Sequence, residues 1–351
     1  MRSRDEEGDV LAFDIGGANI KAADGLGWVH SEPFELWRRR AELPAALARI
    51  VSSRPFRRIV ATMTGEIADC YASRRDGVAD IVAALTAASR ATGRACPVGI
   101  YLVDGTIVPP EAAVQRPLAA AASNWHAVAR LAAAVAPGDK AFLIDIGSTT
   151  TDIVPLVSGG PAATAHDDVT RLAMGELVYT GVERTPIAAI VRSLPWRGRR
   201  HPVVSELFAQ TLDVWLLLGG LAEDANSTRS GSVRTADGGP ATRAAAHRRL
   251  ARMLLADPEE VTNEEAIAMA AWCADRQSLL VARALRRVAA SCGWQPRSIV
   301  LSGHGGCLAR RALARLGWDA ELVSLTSTLG PDVSRAAPAH GLALIALGRL
   351  L

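Results

Sequence analysis

The sequence predicts an α/β chain of two similar domains, and three observations carry that expectation. The first is the run Leu143-Ile-Asp-Ile-Gly-Ser-Thr-Thr-Thr-Asp-Ile-Val154, which reads as two buried strands joined by a turn. An apolar strand brings Asp145 to its end, and Gly147 permits a tight reversal. Ser148, Thr149 and Thr150 then offer hydroxyls and backbone N–H groups, as an anion cradle requires. Asp152 returns on the second strand, and a carboxylate beside such a cradle suits Mg²⁺, which takes one or two carboxylates together with phosphate oxygens. The second observation is a repeat. Val10 to Ala23 carries the same Asp-Ile-Gly pattern 131 residues earlier, with Asp14 matching Asp145, Gly16 matching Gly147 and Lys21 standing where Asp152 stands. A period of that length means two domains, because solenoid repeats run about 20–50 residues. The third is another glycine turn, Ser302-Gly-His-Gly-Gly306, following the short apolar strand Ile299 to Leu301. One Asp-Ile-Gly hairpin alone reads equally well as an ordinary β-turn.

After the first hairpin, Gly25 to Trp37 reads as a further strand pair, and Glu42 to Val51 has helical spacing at Leu43, Leu47 and Ile50. Arg58 to Met63 is a buried strand ending in Thr64-Gly-Glu66. Gly65 allows a bend there, and Glu66 is expected to project into the crevice where α/β sheets bind ligands. A helix-starting turn explains the same residues. Gly77 to Ala91 reads as a helix, Val98 to Val103 as a strand, and Asn124 to Ala136 as a helix with Ser123 as its N-cap. Core packing and capping account for Trp125 and His126. Pro137-Gly-Asp139 closes the first domain, expected at residues 9–139 plus 336–351, and the second spans 140–335.

In the second domain, Tyr179 to Pro186 mixes polar side chains, Arg184 among them, with Gly and Pro, so it reads as a shaped loop. Val203 to Leu218 reads as a helix. The Gly-rich polar stretch from Asn226 to Arg243 is a surface loop or a lid over substrate. Thr262-Asn-Glu-Glu265 is a capping-box pattern opening a long helix through Ala290, with Gly293 as its stop. The last segment, Ala339 to Leu351, is an apolar helix expected to pack on the first domain.

Composition narrows the function classes. A net charge of +3 from 39 basic and 36 acidic residues is close to balance, so no attraction to nucleic acid is indicated. The one basic cluster with an aromatic, Trp196-Arg-Gly-Arg-Arg-His201, reads as a solvated loop or as a site for an anionic substrate tail. Apolar runs stop well short of the roughly 20 residues of a membrane span. The charged start, Met1 to Asp9, lacks the apolar segment of a signal peptide, so a soluble cytoplasmic protein is expected. Five cysteines without a CxxC pair are then expected to be reduced rather than to bind zinc. The oligomeric state stays open.

Three glycine turns in this order resemble the actin, sugar-kinase and Hsp70 ATPase (ASKHA) superfamily, with its two phosphate loops and its adenosine loop. That resemblance implies two actin-like, ribonuclease H-like domains facing each other across a cleft lined by Asp14, Gly16, Asp145, Gly147 and Gly303. It makes Ser302, Gly303, His304, Gly305 and Gly306 candidate ligand contacts, although a lone His304 also reads as a packed structural histidine. A narrower resemblance rests on Phe13 to Lys21, Met63 to Cys70, Ile144 to Ile153, Tyr179 to Pro186 and Thr235-Ala-Asp-Gly238. These segments look like the short hydantoinase/oxoprolinase-like proteins of the tetrahydromethanopterin-linked one-carbon pathway, a family similar to the archaeal furan-methanamine synthase of methanofuran biosynthesis.

What this implies is a transfer without ATP. An aminomethyl-furanmethanol diphosphate loses pyrophosphate, and the phenol oxygen of γ-glutamyltyramine, or of an analogous phenol arm, attacks the furfuryl carbon. On that reading Asp14 and Asp145 hold Mg²⁺. Gly16, Gly17, Asn19, Lys21, Thr64, Gly65, Gly147, Ser148, Thr149, Thr150, Asp152 and Arg184 bind the substrate and its phosphoryl oxygens. Glu66 is the base for the phenol. The alternatives are an ATP-dependent kinase or 5-oxoprolinase-type enzyme, and a nucleotide-sensing regulator without turnover.

Overall fold

The structure, a computed structural model, describes residues 9–91, 93, 96–225 and 235–350. The readings of a leaderless start and of a lid fall largely on residues 1–8 and 226–234, outside the described residues. The chain divides into two compact units. One comprises the described parts of Met1–Leu143, Val154–Arg171 and Leu322–Leu351, and the other Ile144–Ile153 and Leu172–Glu321.

In the first unit, β1 (Val10–Ile15), β2 (Asn19–Ala23), β3 (Val29–Pro33), β4 (Arg58–Met63), β5 (Val98–Tyr101) and β6 (Ile107–Val108) form one sheet in the order β3-β2-β1-β4-β5-β6. β1 runs antiparallel to β2 and parallel to β4, which sets Asp14 opposite Lys21 on one side and Thr62 on the other. Every residue of β1 is buried, as a central strand covered on both faces demands. Strand alternation sends Leu11, Phe13 and Ile15 into a core with helices Leu43–Ser52 and Arg74–Ala91. Val10 and Ala12 face the other way, onto Ala127, Leu342 and Ala343. The C-terminal helix, Ala337–Ala346, therefore packs on the first unit as expected.

The remaining strands are β7 (Lys140–Ile146), β8 (Thr151–Val157), β9 (Gly160–Pro161), β10 (Leu177–Val178), the separate hairpin of β11 (Ser193–Trp196) and β12 (Arg199–Pro202), β13 (Ser298–Gly303) and β14 (Glu321–Ser324). The second sheet runs β10-β8-β7-β13-β14, with β9 against β8. Position for position this repeats β3-β2-β1-β4-β5, so the Asp-Ile-Gly repeat marks a duplicated fold. The long helix is Asn263–Cys292. Thr262 and Glu265 close the expected capping box at its start, and Gly293 stops it at φ 71°. Among the described residues, no helix is long and apolar enough to cross a membrane.

Three local expectations are corrected. Gly25 to Trp37 holds the single strand β3, because the Phe34 and Leu36 N–H groups bond to the carbonyls of Ala18 and Gly17 and the chain turns helical at Leu36–Arg39. The helix expected over Val203 to Leu218 is only Thr211–Leu217. Gln210 and Asp213 cap each other reciprocally there and fix the start. Ser123 does not cap its helix; its hydroxyl bonds to the Tyr101 and Ala120 carbonyls and lies 2.7 Å from Thr62 Oγ1.

Candidate functional site

In the first unit, the ladder between β1 and β2 brings Lys21 Nζ within 3.6 Å of Asp14 Oδ2. Asp14 Oδ1 is buried without a hydrogen-bond partner. Burial raises the Asp14 pKa, and the Lys21 charge opposes that shift. The turn closes through the Gly16 N–H, which donates to the Asn19 carbonyl at 2.9 Å. The Gly17 and Ala18 carbonyls accept from Leu36 and Phe34. A trans peptide points its C=O and its N–H in opposite directions, so the Ala18 and Asn19 N–H groups face away from residues 34–36. Thr64 and Gly65 both donate their N–H groups to the Ile15 carbonyl, which fixes them beside this turn.

Glu66 is buried, only 1% exposed. The bonds at Thr64 and Gly65 turn the chain inward, and the helix Arg74–Ala91 presses on Glu66 at Gly77, where any Cβ would collide with the Glu66 backbone. One Glu66 carboxylate oxygen, Oε2, is buried without a partner. Burial lifts the Glu66 pKa to about 7; the Asp168 charge adds to the rise, whereas Arg74 and the Ala122 N–H oppose it. A carboxyl tuned near neutrality suits proton abstraction.

In the second unit, the Gly147 N–H donates to the Thr150 carbonyl at 3.0 Å. The Gly147 carbonyl accepts from Val182 at 3.1 Å, and the Ser148 carbonyl accepts from Glu183 at 3.0 Å and from Arg184 at 2.9 Å. Peptide planarity then turns the Ser148 and Thr149 N–H groups away from the 181–184 loop. Ser148 Oγ and Thr149 Oγ1 lie 3.4 Å apart on this turn. Gly181 approaches so closely that a Cβ there would lie 2.5 Å from the Gly147 carbonyl oxygen. Arg184 enters the site through its backbone.

The third turn abuts the second. Gly305 N–H donates to the Ile146 carbonyl at 3.1 Å, and a Cβ on Gly303 would lie 2.8 Å from Asp145 Oδ1. His304 Nε2 stands 3.3 Å from Glu183 Oε1, tying this turn to the 181–184 loop. Ser302 is buried, with an unpartnered Oγ. Gly306 opens the helix Gly306–Leu313, and Leu308 and Ala309 are buried. The sequence reading did not assign roles to Gly181 or Gln277. The available signal was an amide at position 277, on the buried stripe of the long helix otherwise formed largely by Ala, Cys and aliphatic side chains.

Among the described residues, no group of three or more His, Cys, Asp or Glu side chains is placed to hold a metal ion. In the first unit Asp14, whose Oδ1 has no hydrogen-bond partner among the described residues, stands beside a glycine turn, and in the second Asp145 and Asp152 occupy the repeat positions of Asp14 and Lys21. Mg²⁺ is commonly held by one or two carboxylates and substrate phosphates, and the carboxylates at each turn are of the type it takes.

The duplicated sheet order gives the chain an α/β fold of two actin-like domains. The chain belongs to the hydantoinase/oxoprolinase family, whose profile matches residues 57–344. A relative from Methanocaldococcus jannaschii is 31% identical over 337 residues, covering 95% of this chain and 96% of the relative. One from Methanococcus vannielii is 31% identical over 206 residues, covering 58% of this chain and 89% of the relative. Both are named as the synthase of a furan-2-yl methanamine carrying a gamma-L-glutamylaminoethyl phenoxymethyl arm. Among solved structures, nucleotide-free acetone carboxylase superposes with a TM-score of 0.54 at 13% identity, covering 95% of this chain and 70% of that one, a likeness of fold alone.

Proposed function

We propose that this protein is a cytoplasmic transferase of methanofuran-type cofactor biosynthesis, joining an aminomethyl-furanmethanol diphosphate to a phenol and releasing pyrophosphate. The observation that carries the reading is the match along 95% of the chain to a relative whose named product contains a phenoxymethyl ether on a furan. In the proposed reaction the phenol gives its proton to Glu66, its oxygen supplies the electron pair of the new bond to the furfuryl carbon, and the bond from that carbon to the diphosphate breaks with its pair leaving on pyrophosphate. Lys21 and the N–H groups of the two phosphate turns stabilise the departing charge, the usual main task of a preorganised site. Mg²⁺, held through Asp14 and Asp145, would supply further charge neutralisation. A diphosphate calls for the same cradle that ATP phosphates do, so the scaffold serves a different organic group without redesign of its turns.

The third turn supports this reading over that of an ATP-dependent enzyme. Leu308 and Ala309, the apolar residues that follow it, belong to the interior, and His304 is engaged with Glu183. A site built for adenosine gains several kcal/mol from burying base and ribose. In calorimetry, pyrophosphate with Mg²⁺ is expected to bind and adenosine to give no measurable heat. Micromolar adenosine binding would contradict the proposal.

A further inference from the structure

The second phosphate turn is held by a polar frame that reaches it through one residue. Gln277, fully buried on the long helix, donates from Nε2 to the Gly181 carbonyl at 2.7 Å and to Thr180 Oγ1 at 2.9 Å. Its Oε1 accepts from Trp215 Nε1 at 3.0 Å. That last bond fixes the orientation of the amide, because a flipped Gln277 would set its NH₂ against the indole N–H and its oxygen against the Gly181 carbonyl. Thr211 Oγ1 donates to the same Gly181 carbonyl at 2.9 Å. Thr211 and Trp215 share the helix Thr211–Leu217, which the buried Arg249 secures through two contacts of 2.7 Å with Asp213.

Among the described residues, the first turn has no such frame. Its Gly17 and Ala18 carbonyls are backed by the Leu36 and Phe34 N–H groups, whose side chains are buried in the apolar core. In the second unit, the backing segment is the 181–184 loop, where several polar groups converge on Gly181. Moving Gly181 moves the Val182, Glu183 and Arg184 N–H groups, and with them the peptide planes that aim the Ser148 and Thr149 donors. Buried amides that accept and donate at every atom specify one arrangement, and half-satisfied ones do not.

We infer that Gln277 is a positioning residue for phosphate binding, acting with Trp215 and Thr211 through Gly181 to aim the N–H donors of the second phosphate turn. This rests on the reading that the second turn holds a phosphoryl group. The test uses inorganic pyrophosphate with Mg²⁺, measured by calorimetry on the full chain, with thermal melting alongside. Trp215→Phe frees the Gln277 amide while keeping an aromatic ring, and Thr211→Val removes one donor at nearly constant volume. Gln277→Met removes the amide altogether and is the variant most prone to misfold. Both milder variants are expected to weaken pyrophosphate binding about tenfold, the scale of one buried polar group left unpaired. The unpaired group should also lower the ligand-free melting temperature by a few degrees, so affinity is read well below that transition, where the variants remain folded. With a competent furan diphosphate the loss should appear in kcat/KM, with kcat falling too, because the same donors stabilise the departing charge. A wild-type chain that fails to bind pyrophosphate would defeat the phosphate reading itself. A wild type that binds, with Trp215→Phe and Thr211→Val binding equally well or losing affinity only in step with their melting temperature, would overturn the inference.

Discussion

Gly181→Ala is expected to cut pyrophosphate affinity on the order of 100-fold, the cost typical of ångström-scale misplacement of binding groups. An added Cβ would lie 2.5 Å from the Gly147 carbonyl oxygen and 2.5 Å from the Ser148 carbonyl carbon. Both atoms are backbone, so neither can swing aside as a flexible side chain would. The 181–184 loop must retreat, and the three N–H bonds from Val182, Glu183 and Arg184 lengthen together. Gly181 and Val182 are themselves buried, so a loss of stability should accompany the loss of affinity. Calorimetric titration of the variant, with circular dichroism to verify the fold, checks both parts. An affinity within threefold of wild type would show that the loop does not set the turn.

Glu66→Gln is expected to stabilise the protein at alkaline pH while removing activity. The folded-state pKa of Glu66 stands raised, from 4.5 to about 7, chiefly by burial. The folded chain therefore keeps a proton that the unfolded chain releases. The resulting stability is fully present below about pH 4.5 and is lost as pH rises through about 7. Glutamine carries no charge to bury. The variant should exceed wild type at pH 8 by on the order of 2–3 kcal/mol and match it near pH 4. Its transfer rate should fall by roughly 10²–10⁴, the usual contribution of a general base. Wild-type activity should rise through pH 7 as Glu66 ionises. Urea melts at the two pH values test the stability claim, and a pH–rate profile tests the catalytic one. A gain in stability with full activity would leave Glu66 a buried structural carboxyl.

The duplicated fold was legible because its signals are local. The two Asp-Ile-Gly hairpins, the Thr262 capping box and Gly293 each act over a few residues, and each formed as read. The corrections fall where distant partners decide. Residues 203–210 were read as helical, yet the reciprocal bonds of Gln210 and Asp213 start the helix later. How deeply Glu66 is enclosed depends on Gly77 packing against its backbone, which the sequence cannot announce. The phosphate turns themselves were visible as Gly, Ser and Thr clusters. Their backing segments were not, since Leu36 and Val182 reach them through backbone bonds that leave no composition signature. Gln277 shows the same limit: an amide on a buried stripe is visible, but its partners Thr180, Gly181 and Trp215 are not.

The most direct test of the account is turnover with defined substrates. Purified protein is incubated with the aminomethyl-furanmethanol diphosphate, γ-glutamyltyramine and Mg²⁺, with and without ATP, and pyrophosphate and the ether product are quantified together. The account predicts one pyrophosphate per ether formed, at the same rate whether or not ATP is present. Ether that forms only with ATP, or release of ADP in step with product, would contradict it.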